Sequence, residues 1–213
     1  MDAPESPRQL LAQSISAGHR LIGQILLSED YCLRHVDDAG RDDLEISTDP
    51  ITAREIARYD EKGNYRPLKS APNLRRGWLI QAGSMEGLEI ALEFFYPSAL
   101  GLWFSSIKDT LQPTPLRETL ERQTGMYRVT QLLRDDQARE LIHCHCNSAQ
   151  GCLRSLLWEI APGVPINSLP RDQLSLAKVG DDRIPLICRE ACNLLVAAAR
   201  PIAKGNLPKK EES

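Results

Sequence analysis

Five of the chain's six cysteines lie in one stretch, residues 143–192. Thiols at this density bind a metal, close a disulfide or act as a nucleophile, and each role demands different neighbours. The five follow the pattern C-x-C-x5-C-x35-C-x3-C and are Cys144, Cys146, Cys152, Cys188 and Cys192. Metal binding is the chemistry that this pattern favours, and buried, unliganded thiols are the alternative.

The composition of the chain limits the size of its domains, its partners and its cellular compartment. With 213 residues and 42% hydrophobic content, the chain is long enough for one large or two small domains. A formal net charge of -3 offers no field that attracts nucleic acid or anionic lipid, so we expect neither partner. The acidic, proline-containing start and the lack of a long apolar run predict no secretion signal and no membrane span. We therefore expect a soluble cytoplasmic protein, in which thiols stay reduced and a cysteine cluster binds metal.

Ligand type alone leaves the metal open. Four thiolates suit either tetrahedral zinc or an iron–sulfur cluster. The spacing of Cys188 and Cys192 fits a zinc knuckle, whereas that of Cys144 and Cys146 does not. The neighbouring His143 and His145 leave a mixed Cys/His zinc site as an alternative. The usual ferredoxin run is absent. A catalytic thiol–histidine pair at 143 and 144 lacks an assignable oxyanion hole, so we name no catalytic residue and recognise no self-contained active site.

The elements around the cysteines are predicted to be helical. Apolar spacing indicates helices over 116–133 and 137–142, with Asp135-Asp136 capping the second of them. This places Cys144 and Cys146 on a short link before a further helix over 151–160, which has Cys152 in its first turn. A last helix from about Cys188 to Pro201 sets Cys188 and Cys192 one turn apart on one face.

The first half of the chain is predicted to be a mixed unit, giving an α+β protein overall. Two prolines at 113–115 mark a linker that excludes regular pairing, so we expect domains at 1–112 and 113–203 and a flexible tail at 204–213. Cys32 is predicted to fill the core, and the acidic stretch after it to be a solvated turn. The first-half elements predicted from periodicity are helices over 7–27, 48–59, 88–95 and 99–107 and strands over 31–36, 44–47, 65–70 and 78–82, with 44–47 pairing with 31–36.

Three segments resemble a known family: the cysteines at 144–146, the run from Gly151 to Trp158, and the run from Cys188 to Arg200. They are similar to the C-terminal 4Fe-4S domain of bacterial chelatase-like proteins. In that family a CbiX-type sirohydrochlorin chelatase region precedes an α+β stabilising domain and then the cluster domain. The first half of this chain is similar to the stabilising domain, notably around residues 74–78, and the sequence shows no chelatase-like region before it.

The resemblance implies one 4Fe-4S cluster held by Cys152, Cys188 and Cys192, with Cys144 or Cys146 as the fourth ligand. It further implies electron transfer, redox sensing or structural support, linked to tetrapyrrole or cobalamin metallation and to a separate chelatase or redox protein as partner. Chelatase activity does not transfer to this chain. Trp158 is expected in the core, and on the predicted helix that carries Cys152 it would shield a cluster from water. The alternative function is a zinc-stabilised interaction module without redox chemistry.

Overall fold

The computed structural model describes residues 4–59, 65–67, 77–123, 130–146, 155–167, 182–188 and 190–206. The chain forms two compact units. The first contains the chain up to Leu111 and a later stretch that ends at Leu186, and the second contains the chain from Gln112 and again from Ile187 onwards. The predicted second domain at 113–203 is therefore interrupted by a segment that joins the first unit.

The first unit combines a mixed sheet with helices, which confirms the predicted α+β class. Its elements are α1 (Pro7–Ile15), β1 (Arg20–Ile22), β2 (Ile25–Leu27), β3 (Cys32–His35), β4 (Glu45–Ser47), α2 (Ala53–Ile56), β5 (Ala57–Tyr59), β6 (Tyr65–Pro67), β7 (Trp78–Gln81), α3 (Met85–Phe95), α4 (Ala99–Ile107) and β11 (Arg183–Ile184), with short 3-10 turns at Val36–Asp38 and Pro50–Thr52. The strands of the sheet run in the order β11-β1-β2-β3-β7-β4, with the two outermost pairs parallel and the others antiparallel. A separate hairpin pairs β5 with β6.

The helix predicted over 7–27 is wrong beyond Ile15. Gly18 and Gly23 adopt φ values of 124° and 56°, a left-handed region that glycine occupies without strain, and each ends the regular element before it. The apolar residues that follow belong to the hairpin of β1 and β2, whose Ile22, Ile25 and Leu27 are fully buried. An apolar run divided by two glycines thus folds as strands.

Two neighbouring predictions also change. The helix predicted over 48–59 is reduced to the 3-10 turn and α2, and the chain then extends into β5. Asp49 caps the 3-10 turn, since its carboxylate accepts a hydrogen bond from Ile51 N at 2.9 Å. The strand predicted over 44–47 forms as β4, but it pairs with β7 rather than with β3. Of the strand predicted over 65–70, only residues 65–67 lie within the described part of the chain.

Helices α3 and α4 form close to the predicted ranges. Ser84 caps α3 by accepting a hydrogen bond from Gly87 N at 3.1 Å, and Pro97 lies between the two helices. Within the described residues no single helix is long and apolar enough to cross a membrane. The pair α3 and α4 reaches that length and composition together, but it is bent by 101°. Both helices also contribute buried side chains to the core of the first unit.

The second unit is a small sheet with helices packed on it. Its elements are β8 (Thr114–Pro115), α5 (Leu116–Glu121), α6 (Asp135–Cys146), β9 (Ser155–Ala161), β10 (Val164–Asn167), β12 (Ile187–Cys188) and α7 (Asn193–Gly205), with a 3-10 turn at Thr130–Leu132. The strands of the sheet run in the order β10-β9-β12, and β8 also pairs with β9, at residues beyond those that pair with β12.

Four predictions for this unit are corrected. The proline pair at 113–115 does not exclude pairing, because Thr114 and Pro115 align with Trp158 and Glu159. The helix predicted over 116–133 ends at Glu121, and a 3-10 turn forms at 130–132. The described part of the helix predicted over 151–160 is strand β9. The last helix starts five residues later than predicted and continues through Pro201 to Gly205, so the first residues of the predicted flexible tail are helical.

An apolar core holds the second unit together. Helices α5 and α6 pack on β9, helix α7 packs on α6, and all three contribute buried side chains to the core that contains Trp158 and Ile160. The end of α7 is tied down as well, because Asn206 Nδ2 donates hydrogen bonds to Leu132 O at 2.7 Å and to Gln137 Oε1 at 2.6 Å. Cys146 belongs to this core, and Cys188 packs against it.

Candidate metal centre

Cys144 and Cys146 lie on the last turn of α6, not on the predicted link between two helices. Residues two apart on an α-helix point about 200° away from each other, since each residue advances about 100°. The two thiols accordingly meet different surroundings. Cys146 is 4% exposed and belongs to the apolar core of the second unit, whereas Cys144 is half-buried and lies outside that core. The structure thus separates two candidates that the sequence left equivalent.

Glu140 favours the protonated form of the Cys144 thiol. The Cys144 thiol donates a hydrogen bond to Glu140 Oε1, with the sulfur and oxygen 2.9 Å apart. This hydrogen bond to the carboxylate raises the pKa of Cys144 above its ordinary value, with smaller contributions from desolvation and from the negative charge. A metal ligand must be a thiolate, so Glu140 opposes ligation by Cys144. Sequence reasoning missed Glu140, although its spacing of four residues from Cys144 on a helix is the signal for such a contact.

Cys188 lies at the end of strand β12, and the prediction that it starts the last helix is wrong. The strand pairs in parallel with β9, so that Cys188 aligns with Leu156. The side chain is half-buried and packs against the core to which Cys146 belongs. Its thiol donates a hydrogen bond to Glu190 O at 3.1 Å, which holds the sulfur near the loop that leads to α7.

Cys192 is the N-cap residue of α7. Its sulfur accepts a hydrogen bond from Leu195 N at a distance of 3.5 Å, and the residue is exposed. Cys188 and Cys192 were predicted to share one helix face, and this prediction is wrong. The two residues instead flank the loop between strand β12 and helix α7. The N-terminal end of a 13-residue helix carries partial positive charge, which attracts the negative charge of a thiolate-bound metal or cluster.

Cys152 lies outside the described residues. From Ser155 onwards, the helix that was predicted over 151–160 is strand β9. In the parallel register Ser155 aligns with Ile187, the residue before Cys188.

The described cysteines of this region are brought to one unit without forming a closed ligand set. Cys146 and Cys188 contact the same core, and Cys192 follows Cys188 across a short loop. Among the described residues no three His, Cys, Asp or Glu side chains converge closely enough to hold a metal ion, and no two cysteines form a disulfide. Since one predicted ligand, Cys152, is outside this set, the described thiols form only part of the expected site.

The histidines do not join this arrangement. His143 and His145 lie on the same turn of α6 as the first two cysteines, but both side chains are exposed, and neither belongs to the apolar core that contains Cys146. A mixed Cys/His zinc site built on the buried face of α6 therefore has no histidine in place. The donor set that faces the core consists of sulfur, which fits iron–sulfur chemistry and four-cysteine zinc alike.

Cys32 is in the first unit, on β3, and is 4% exposed. Burial, assisted by a hydrogen bond to Asp30, raises the pKa of its thiol from 9.0 to about 11. The side chain therefore stays a neutral thiol at physiological pH, in line with the predicted role as core filler. In the acidic stretch that follows β3, Asp38 is fully buried and its carboxylate accepts a hydrogen bond from Arg41 at 2.9 Å, so this acid is not part of a solvated turn.

Comparison with known proteins assigns a class to each half of the chain. Residues 9–107 match the family described as the DR2241 stabilising domain, and residues 108–201 match the 4Fe-4S iron–sulfur cluster binding domain. The two halves thus match these two domain families, as the sequence resemblance predicted. The second unit lies largely within the range that matches the cluster-binding family.

A solved structure joins the two classes in one protein. The chain is similar to DR2241 from Deinococcus radiodurans, described as a multi-domain protein with structural similarity to chelatases and two additional novel domains. The sequences are 30% identical, the TM-score is 0.66, and the match covers 93% of this chain and 41% of that one. The chain thus spans less than half the length of this relative. No curated protein matches the sequence.

Proposed function

We propose that the second unit binds one 4Fe-4S cluster through Cys146, Cys152, Cys188 and Cys192. The observation that carries the choice of ligands is the difference between the two thiols of α6: Cys146 is 4% exposed in the core that Cys188 also contacts, and Cys144 is not part of that core. The match of residues 108–201 to a cluster-binding family supports the type of cofactor. The thiol donor set fits it.

The surroundings of the ligands favour electron transfer as the role. When bound, the cluster supplies one-electron redox chemistry. On one side Cys146 and Trp158 are buried and exclude water, which sets the polarity around the cluster. On the other side Cys192 is exposed and Cys188 is half-buried, so a partner can approach closely enough to exchange electrons. A purely structural site has no need of this open side.

The partner that we propose is a chelatase-type domain or chain. The support for it is the similarity to DR2241, which is described as a multi-domain protein with structural similarity to chelatases. The cluster would then serve tetrapyrrole metallation by exchanging electrons with that partner. We place the protein in the cytoplasm, because a site built from four reduced cysteines persists in a reducing compartment.

Anaerobic purification tests the cofactor. We expect brown protein with about four iron and four sulfide per chain and a broad visible absorption that dithionite bleaches. About one zinc per chain without visible absorption would instead establish the zinc-stabilised module. Colourless protein without iron or sulfide after reconstitution would contradict the cluster proposal. An iron–sulfur cluster that no mild reductant or oxidant converts would limit its role to structural support.

A further inference from the structure

Trp158 occupies the middle of β9 and is fully buried in the core of the second unit. Its indole Nε1–H has no hydrogen-bond partner among the described residues. A buried indole N–H ordinarily finds an acceptor, because leaving it without one forfeits the hydrogen bond that it made with water. The position therefore calls for an acceptor that the described polypeptide does not supply.

The strand register places Trp158 beside the proposed ligands. Cys188 aligns with Leu156 in the parallel pair of β12 and β9. Trp158 is two residues further along β9, so it lies on the same face of the sheet as Cys188. Strands about 4.8 Å apart and a rise of about 3.3 Å per residue put the two residues about 8 Å apart, a distance that an indole can cross. Trp158 also shares its apolar core with Cys146.

We propose that the Nε1–H of Trp158 donates a hydrogen bond to a sulfur of the bound cluster, either a cysteine thiolate or a bridging sulfide, and thereby raises its reduction potential. The inference rests on the proposed cluster function. A donor hydrogen bond stabilises the more negative, reduced state of the cluster more than the oxidised state. No described residue accepts a hydrogen bond from this N–H, which leaves the donor available to a cluster sulfur.

Replacement of Trp158 by phenylalanine isolates the hydrogen bond, since phenylalanine keeps an aromatic ring in the core and removes the donor. The matched control is Trp103→Phe. Trp103 is 2% exposed, its Nε1 is likewise unpartnered among the described residues, and it belongs to α4 of the first unit. Redox titration of the reconstituted full chain is expected to show a lower potential for Trp158→Phe than for the wild type, with equal cluster content. Trp103→Phe is expected to match the wild type.

A measurement on the wild type guards against loss of the cluster in the variant. With tryptophan labelled by 15N at the indole nitrogen, pulsed electron paramagnetic resonance of the reduced cluster is expected to show a 15N coupling. The coupling should persist in Trp103→Phe. An unchanged potential in loaded Trp158→Phe, or no 15N coupling in the loaded wild type, would overturn the inference while leaving cluster binding intact. Failure to bind any iron–sulfur cluster would instead overturn the proposed function itself.

Discussion

Exchange of the two thiols on α6, one at a time, gives the sharpest test of the site. Cys146→Ser removes the thiol that is 4% exposed in the core, and Cys144→Ser removes the thiol that donates to Glu140. Both changes replace sulfur by oxygen at positions two residues apart on one helical turn. We expect the first variant to lose the cluster and the second to keep it.

The magnitude follows from what Cys144 must do to replace Cys146. The two side chains differ by about 200° around the helix axis, so Cys144 reaches the core only if the last turn of α6 unwinds. Unwinding that turn removes about four backbone hydrogen bonds at about 1 kcal/mol each. A cost of about 4 kcal/mol corresponds to about a thousandfold weaker binding. Cys144→Ser, which disturbs no core contact, is expected to change the affinity less than about twofold.

The assay is iron and sulfide content after anaerobic reconstitution, followed by the rate at which a chelator strips iron from each variant. Cys146→Ser is expected to hold little iron and to release it at once, whereas Cys144→Ser should follow the wild type. Circular dichroism of the apo proteins checks that both variants fold. Retention of the cluster in Cys146→Ser together with its loss in Cys144→Ser would refute the argument from helix orientation.

Two further predictions concern the first unit. Gly23→Ala is expected to lower the free energy of unfolding by about 3 kcal/mol in urea titrations, because a Cβ at φ 56° would clash with the buried Tyr96 hydroxyl. The control is Gly101→Ala on α4, where the space around the glycine is open. This change should raise the free energy of unfolding by up to about 1 kcal/mol. The pKa of the Cys32 thiol is about 11 in the folded state against 9.0 ordinarily. Between pH 9 and 11 the folded chain therefore keeps a proton that the unfolded chain loses, and the free energy of unfolding should fall as the pH rises through this range. Cys32→Ala should flatten this slope in unfolding titrations, and an unchanged slope would show that the thiol is not responsible.

Local signals were sufficient where the elements are long or capped. Ser84 and Pro97 delimit α3 and α4, and both helices formed close to the predicted ranges. β9 shows the limit of such signals. Its apolar residues at 156, 157, 158 and 160 fit a helix stripe as well as a buried strand, and periodicity cannot decide between the two over so short a run. The decision comes from pairing with β8, β10 and β12, which are distant in sequence.

The candidate site also depends on both local signals and long-range contacts. The sequence was sufficient to single out the cysteines, but not to predict their positions in the fold. Cys188 and Cys192 have the spacing of one helical turn, yet Ile187 and Cys188 pair with residues 155 and 156, and this long-range contact converts the start of the predicted helix into a strand. Helix α6 continues to Cys146, one turn beyond its predicted end at residue 142, and this turn is what gives Cys144 and Cys146 different surroundings. No capping residue in the sequence marks where the helix ends.

The way the thiols are held bears on what the cluster contributes to folding. Small zinc domains are unfolded without metal because little else holds them together. Here the second unit has an apolar core of its own, to which α6, α7 and β9 all contribute, and the N-cap at Cys192 and the strand at Cys188 are fixed by backbone contacts. Cys146, Cys188 and Cys192 are therefore held by contacts of the polypeptide that do not depend on a cluster. It follows that the apo protein should remain folded in α6, β9 and α7.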